Sequence, residues 1–217
     1  MQRMLNILTL GIAMSTVSSL TMAGDDMHKY EITVTNGTTS HVMTPPAVIA
    51  HNRHFSAFMV GQMASDELAT QAESGNPAPL LDMAANSRGV KATAAGTDVI
   101  LPGQSQTISI MVRGKHPRFT VTSMLASTND AFVAVNGVGM HGSMRMMDAI
   151  VYDAGSEGNN EDCAYIPGPP CGGSSRDTAT AEGFVSYHSG IKGIGGVDAN
   201  KFDWRGPVAQ ISIKKMD

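Results

Sequence analysis

The chain has 217 residues, a formal net charge of −4 and only 16% charged residues. This length suffices for one domain with a hydrophobic core of its own. The low, acidic charge argues against a nucleic-acid-binding protein and against a polybasic membrane patch. We therefore expect one domain whose partners are not selected by bulk charge.

The first 26 residues, MQRMLNILTLGIAMSTVSSLTMAGDD, have the pattern of a secretory signal peptide. Arg3 precedes an apolar run from Met4 to Met14, and small residues follow as far as Ala23. Interspersed Asn, Ser and Thr make the run too short for a membrane span. The pattern predicts a signal peptide over residues 1–23 and a mature domain over residues 24–217 that is secreted or periplasmic and has no transmembrane segment.

From Tyr30 onward, short segments alternate apolar and polar residues, which is typical of half-buried strands. Turn-forming clusters such as TNGTTS, LPGQSQ and GPPCGGSS separate them. This arrangement favours an all-β antiparallel sandwich or barrel over a parallel α/β fold. The alternating apolar positions are Tyr30, Ile32 and Val34, then Ile108, Ile110 and Val112, then Phe119 and Val121, and finally Ile211 and Ile213.

The segment SDELATQAESGNPAPLLDMAANSRG interrupts this pattern. Ser65 can cap a helix that Gly75 ends, and Asn76 with Pro77 can start a second helix. We expect two short helices inserted on one side of the strands.

The stretch VYDAGSEGNNED, residues 151–162, concentrates acidic side chains in one loop. Like charges this close repel each other, so the loop is predicted to hold a cation. It is not an EF-hand, because Ala164 stands where that motif needs a bidentate Glu. The carboxylates are Asp153 and Glu157, assigned to the ion, and Glu161 and Asp162, assigned to the solvated rim.

Further ligands must come from elsewhere in the chain, and Asp130 with Asn129 in STNDAF follows an apolar strand. Carboxylate and carbonyl oxygens are the ligands that calcium prefers. The residues alone leave a second interpretation open, in which the acidic loop is solvated and Asp130 is a turn residue.

The two cysteines, Cys163 and Cys171, lie in DCAYIPGPPCGG. An oxidising compartment favours a disulfide between them over a metal site, because no nearby histidine completes a zinc ligand set.

The chain resembles the spondin N-terminal domain found in F-spondin, mindin and stand-alone bacterial proteins. The segments that carry this resemblance include YEITVTN, TPPAVIAH, SMLASTNDAFVAVNG, YDAGSEGNNE, VSYHSGIKGIG and DWRGPVAQISI, between about Tyr30 and Ile213. It implies a C2-like antiparallel β-sandwich that binds one calcium ion. The matching ligand positions are Asp130, Asp153 and Glu157, although animal members usually carry Asp in place of Glu157.

The resemblance also implies adhesion or recognition, with a surface glycan or protein as the partner. We accordingly expect an exported, calcium-binding module that acts at the cell surface or in the periplasm. The thrombospondin-type repeats of the animal proteins do not occur in this sequence.

Two alternative functions are a copper-handling protein and a hydrolase. A periplasmic copper-handling protein would use soft methionine and histidine ligands; the candidates are Met140, His141, Met144, Met146 and Met147, with His51 and His54. A hydrolase is disfavoured because neither a G-x-S-x-G turn nor an H-E-x-x-H helix occurs. His51, His188 and Trp204 are interpreted as structural residues, and we expect no enzymatic activity.

Overall fold

A computed structural model describes residues 27–216 of the chain, and the predicted signal peptide lies outside them. The described residues form nine strands and three short helices. In chain order these are β1 (Met27–Asn36), β2 (Ala47–His51), α1 (Asp66–Ser74), α2 (Ala78–Ala85), β3 (Val90–Ala95), β4 (Ser105–Arg113), β5 (Arg118–Met124), β6 (Ala131–Gly139), β7 (Met144–Asp153), β8 (Ser186–Tyr187), α3 (Ala199–Phe202) and β9 (Ala209–Lys215).

The strands are all antiparallel and follow the order β3-β2-β5-β6-β7-β9-β1-β4, with β8 paired to the end of β7. Strand β7 belongs to both halves of this order: Met144–Ala149 pairs with β9, and Ile150–Asp153 pairs with β6. The end strands β3 and β4 also contact each other, so the sheet folds over on itself. This confirms the predicted all-β antiparallel sandwich, which is nearly closed into a barrel.

The main hydrophobic core lies between the two halves of the sheet. All the alternating apolar positions predicted from the sequence are buried in it, including Ile32 at 0% exposure and Ile213 at 0%. On β1 and β4 the intervening residues face solvent, and Thr33 and Thr107 hydrogen-bond there through their hydroxyl groups at 2.8 Å. The alternation of apolar and polar residues in β1 and β4 therefore corresponds to a sheet with one buried face and one solvent-exposed face.

A second core lies under the helical insertion, whose two helices form as expected from the sequence. Helix α1 begins with the Ser65 hydroxyl accepting a hydrogen bond from the Leu68 amide at 3.2 Å, and it ends at Gly75 in the left-handed conformation. The helices pack on β2, β5 and β6, which leaves all five residues of β2 buried. Covering both faces explains why apolar and polar residues do not alternate in the sequences of β2 and β6.

Among residues 27–216, no helix has both the length and the apolar character needed to cross a membrane. The β5–β6 connection and the long segment between β7 and β9 meet at one end of the sandwich, where the acidic residues lie.

Candidate metal centre

The β6–β7 pair brings Asp130 and Asp153 to the same end of the sandwich. Asp130 immediately precedes β6 and Asp153 ends β7, and Ala131 is paired with Asp153 across the two strands. The amide of Ala154 donates to the backbone carbonyl of Asp130 at 3.2 Å. Both side chains are buried, so two residues that are 23 positions apart in sequence share one protected acidic environment.

One oxygen of the Asp130 carboxylate is fully engaged and the other is not. Its Oδ2 accepts hydrogen bonds from the amides of Ser156 at 2.7 Å and Glu157 at 3.0 Å. Its Oδ1 is buried without a hydrogen-bond partner among the described residues. Burial, followed by the nearby negative charge of Asp153, raises the pKa of Asp130 to about 7.

Gly155 makes this arrangement possible, because the loop turns back over the Asp130 carboxylate at this residue. Its φ of +66° lies in the left-handed region that favours glycine. A Cβ at this position would collide with the backbone of Phe184. The glycine in YDAGSE is therefore required both by backbone conformation and by space.

The Asp153 carboxylate has hydrogen-bond donors on both oxygens. Oδ1 accepts from the Gly155 amide at 2.6 Å, and Oδ2 accepts from the side-chain amide of Asn159. Burial is the main cause of the raised pKa of Asp153, which the charge of Glu182 raises further. The same Asn159 amide also donates to Glu182 Oε1 at 3.1 Å. Asn159 thus holds two carboxylates together.

Glu157 is only partly joined to this pair. Its amide binds Asp130, but its Oε1 accepts from the Asp177 amide at 3.1 Å, and its Oε2 is buried without a partner in the described chain. Burial, followed by the charge of Glu73, raises the pKa of Glu157 to about 7. The nearby charges that shift the pKa of the Glu157 carboxylate are those of Glu73, Arg176 and Asp177.

The predicted ligand set is therefore assembled in part. Asp130 and Asp153 are brought together, and the third acidic group acting on both of them is Glu182, which sequence analysis did not single out. Glu182 lies in the turn-rich segment TATAEGF, where no spacing distinguishes it from a solvated residue. Across residues 27–216, no three or more His, Cys, Asp or Glu side chains are already arranged to hold a metal ion.

The assignment of Glu161 to the solvated rim is wrong. Glu161 is only 4% exposed, and its carboxylate accepts hydrogen bonds from the amides of Lys192 at 2.5 Å and Ile194 at 2.9 Å. Its own carbonyl accepts from the Gly196 amide at 2.6 Å. Glu161 anchors the loop between β8 and α3, whereas the neighbouring Asp162 is exposed as expected.

The predicted disulfide between Cys163 and Cys171 is present, with the two Cα atoms 4.8 Å apart. It closes a loop beside a small third core formed by Ile166, Ile191, Val197 and Phe202. The cysteines are thereby excluded as metal ligands.

The methionine and histidine residues weighed for copper do not converge on one point. His51 is buried and hydrogen-bonded to Thr120 and to the Asn52 carbonyl, while Met144 and Met146 are exposed along β7. Only His54, Met140 and His141 line a common cleft.

The other singled-out side chains have structural partners. The His188 ring accepts from the Gly190 amide at its Nδ1 and donates from Nε2 to Asn159 Oδ1 at 3.1 Å. Burial is the main reason why the pKa of His188 falls to about 4. Trp204 is partly buried and packs its ring against those of His188 and His41. His188 thus has the structural role predicted for it, bonded within the acidic end, and Trp204 is the predicted anchor near the last strand.

Comparison with protein families identifies the spondin N-terminal domain, Spondin_N, over residues 38–167. Comparison with curated proteins gives no match. The matched region includes β2 to β7, both helices of the insertion and the acidic loop. Since the match covers more than half of the chain, the protein belongs to the spondin N-terminal domain family.

Proposed function

We propose that this chain is an exported, non-enzymatic recognition module whose acidic end is stabilised by one calcium ion. Membership of the spondin family and the Cys163–Cys171 disulfide indicate an extracellular type of domain. The observation that carries the calcium proposal is the buried Asp130 Oδ1, which has no hydrogen-bond donor among residues 27–216 and lies beside a second buried aspartate. A buried carboxylate oxygen without a partner is costly unless a cation or a proton satisfies it.

The residues present fit a hard cation. Asp130, Asp153 and Glu157 would hold it, since Asp130 Oδ1 and Glu157 Oε2 have no donor within the described part of the chain and each Asp153 oxygen retains a lone pair beyond its hydrogen bond. Calcium, when bound, would supply the positive charge that offsets the repulsion between these carboxylates. Gly155 and Asn159 carry no charge, and their role is to position Asp153 by hydrogen bonds.

Binding rather than catalysis is supported by the state of the histidines. His51 and His188 have both ring nitrogens engaged in hydrogen bonds, and neither contacts a serine or cysteine nucleophile through them. A general base needs a basic atom within hydrogen-bond reach of the proton that it abstracts, and the internal hydrogen bonds of these rings occupy their nitrogens. The proposed partner is a surface glycan or a surface protein.

Isothermal titration of the chelator-treated mature domain tests the calcium proposal. The parent should bind calcium with a stoichiometry near one, and Asp130→Asn should weaken this binding by about tenfold or more, since one coordinating charge is lost. Asp162→Asn is the matched control, because that carboxylate lies in the same loop but is exposed. Equal calcium affinity in the parent and in Asp130→Asn would refute the site.

A further inference from the structure

A basic cleft lies at the end of β6 opposite the acidic residues. It has a volume of about 420 Å³, and five of its lining side chains carry a guanidinium or an imidazole. These are Arg53, His54, His116, Arg118 and His141. No aspartate or glutamate of the described chain lines the cleft. A chain with an overall charge of −4 thus gathers two guanidinium cations and three imidazole rings at one place.

The fold, not the sequence spacing, creates this cluster. Arg53 and His54 follow β2, Arg118 begins β5, and His141 lies between β6 and β7. Since β2, β5 and β6 are neighbours, the antiparallel register brings these termini to one edge. At about 3.3 Å per residue, the nine positions from Asp130 to Gly139 place the cleft roughly 30 Å from the candidate metal centre.

The two arginines of the cleft, Arg53 and Arg118, are available to bind a ligand. Among residues 27–216, neither Arg53 nor Arg118 is paired with a carboxylate, and both side chains are exposed. Guanidinium groups bind carboxylate and sulfate oxygens through two parallel hydrogen bonds. The cleft is therefore suited to an external oxyanion.

His116 adopts an unusual backbone conformation at the centre of this surface. Its φ is +52°, which is uncommon for a residue other than glycine. It lines both the first cleft and an adjoining one of about 330 Å³, to which His28 and Lys215 contribute. The two clefts share His116, Pro117 and Met140, so side chains with nitrogen donors continue from one cleft to the other. A ligand with several anionic groups along its length would fit this continuity.

The lining also distinguishes among polyanions. Among residues 27–216, no exposed Phe, Tyr or Trp lines either cleft, since Tyr30 is buried, and grooves that bind single-stranded nucleic acid use such rings to stack bases. The apolar members Pro117 and Met140 are buried as well, which leaves no exposed apolar side chain to insert into a lipid surface. Sugars that carry carboxylate or sulfate groups need neither feature.

We propose that this cleft binds an acidic glycan through Arg53, Arg118 and His116. The proposal rests on the recognition function proposed above and names the class of ligand and its site. It does not require calcium, because the metal centre lies at the other end of β6.

Direct binding measurements test the proposal with four probes. The salt concentration is kept at about 50 mM, because ionic contacts to anionic groups weaken at higher salt. The probes are a sulfated heparin octasaccharide, a hyaluronan octasaccharide that carries only carboxylates, the neutral cellohexaose and an eight-nucleotide thymidine oligomer. At least one acidic glycan should bind, and the pair of acidic probes separates sulfate from carboxylate recognition. Cellohexaose should not bind, and the thymidine oligomer should bind more weakly than the glycan.

The double variant Arg53→Gln with Arg118→Gln should weaken glycan binding by about tenfold or more. The control Arg205→Gln removes an exposed arginine that lies between α3 and β9 and lines neither cleft, and it should leave the affinity unchanged. His116→Asn should also weaken binding while leaving the melting temperature equal or higher, since asparagine tolerates a positive φ.

Failure of both acidic glycans to bind would overturn the proposal. Unchanged affinity in the double variant, or thymidine binding as tight as glycan binding, would overturn it as well. Calcium titration of the double variant keeps the two proposals separate, because it should match the parent. Asp130→Asn should conversely retain its glycan affinity.

Discussion

Asp130 lies beside Asp153 at the open end of the β6–β7 pair, and the charge of Asp153 adds to burial in raising the pKa of Asp130 to about 7. Each carboxylate is fixed by backbone amides of the loop that follows β7. The fold therefore holds two like charges together in a protected place, and a cation or a proton is needed to relieve their repulsion.

The first prediction concerns pH. In metal-free protein, the stability of Asp130→Asn relative to the parent should increase between pH 4 and pH 8 by about 2–4 kcal/mol. The folded-state pKa of Asp130, about 7, exceeds the unfolded value of about 4. The folded parent therefore binds the extra proton in this window and loses stability as the pH rises through 7.

Urea denaturation of both proteins in the presence of a chelator measures this difference. The lowered pKa of His188 makes stability rise with pH, which opposes the effect of Asp130. Both proteins contain the same histidines, so this contribution cancels when the parent and Asp130→Asn are compared. Asparagine preserves the amide contacts, because its oxygen can replace the engaged Oδ2 and its NH₂ the unpaired Oδ1. A difference that stays constant from pH 4 to pH 8 would contradict the prediction.

The second prediction identifies the third carboxylate of the metal centre. The family resemblance assigns Glu157, whereas Glu182 is the acidic residue whose charge raises the pKa of both Asp130 and Asp153. If Glu157 coordinates calcium, Glu157→Gln should lower the affinity by about tenfold, and Glu182→Gln should lower it only slightly through the loss of a nearby charge. Calcium titration of both variants decides this, and the reverse order of effects would assign the site to Glu182.

Much of the fold could be predicted from local sequence pattern. The alternation in β1, β4, β5 and β9 predicts their buried residues, and Ser65, Gly75 and Asn76 predict the ends of α1 and α2. Strands β2 and β6 give no such pattern, because the helices cover their outer faces and both sets of side chains are buried. The packing of the helices over these strands is a tertiary contact, and the local sequence pattern of a strand does not indicate it.

The candidate site shows the same division. The Asp130 and Asp153 pair could be predicted, because each acidic residue follows an apolar strand and strand ends meet at sheet edges. Glu182, and the burial of Glu161, depend on how the long segment after β7 returns to the sandwich. Neither acidic residue differs locally from a solvated one, so composition gives no means of separating them.

A third prediction concerns the turn over Asp130. Gly155→Ala should lower the free energy of unfolding by more than about 2 kcal/mol, because the added Cβ meets the Phe184 backbone in addition to the strain of a positive φ. Gly103→Ala is the control: its φ is +73°, but no atom lies within 4 Å of the added Cβ, so only the conformational cost of about 1 kcal/mol remains. Thermal and urea denaturation compare the two. Equal effects would show that the loop moves away from Gly155 without cost.

The last prediction concerns Glu161, whose buried carboxylate joins the acidic loop to the segment before α3. Glu161→Gln should destabilise the domain by about 1–3 kcal/mol, because the two oxygens accept from the Lys192 and Ile194 amides and the NH₂ group of glutamine cannot accept either bond. The amide of either Lys192 or Ile194 would then face the NH₂ group of the glutamine, which is also a donor. The neighbouring Asp162→Asn is the control, since that side chain is exposed and surface changes of this kind stay within about 0.5 kcal/mol.

Calcium separates this structural role of Glu161 from a ligand role. If Glu161 only anchors the loop, Glu161→Gln should lower the melting temperature by a similar amount with and without calcium, and its calcium affinity should stay close to that of the parent. Hydrogen exchange should become faster at the amides of residues 190–196, which Glu161 holds, while the strands of the main core remain protected. A variant as stable as Asp162→Asn would show that the two amide contacts contribute nothing, and a selective loss of calcium binding would make Glu161 a ligand.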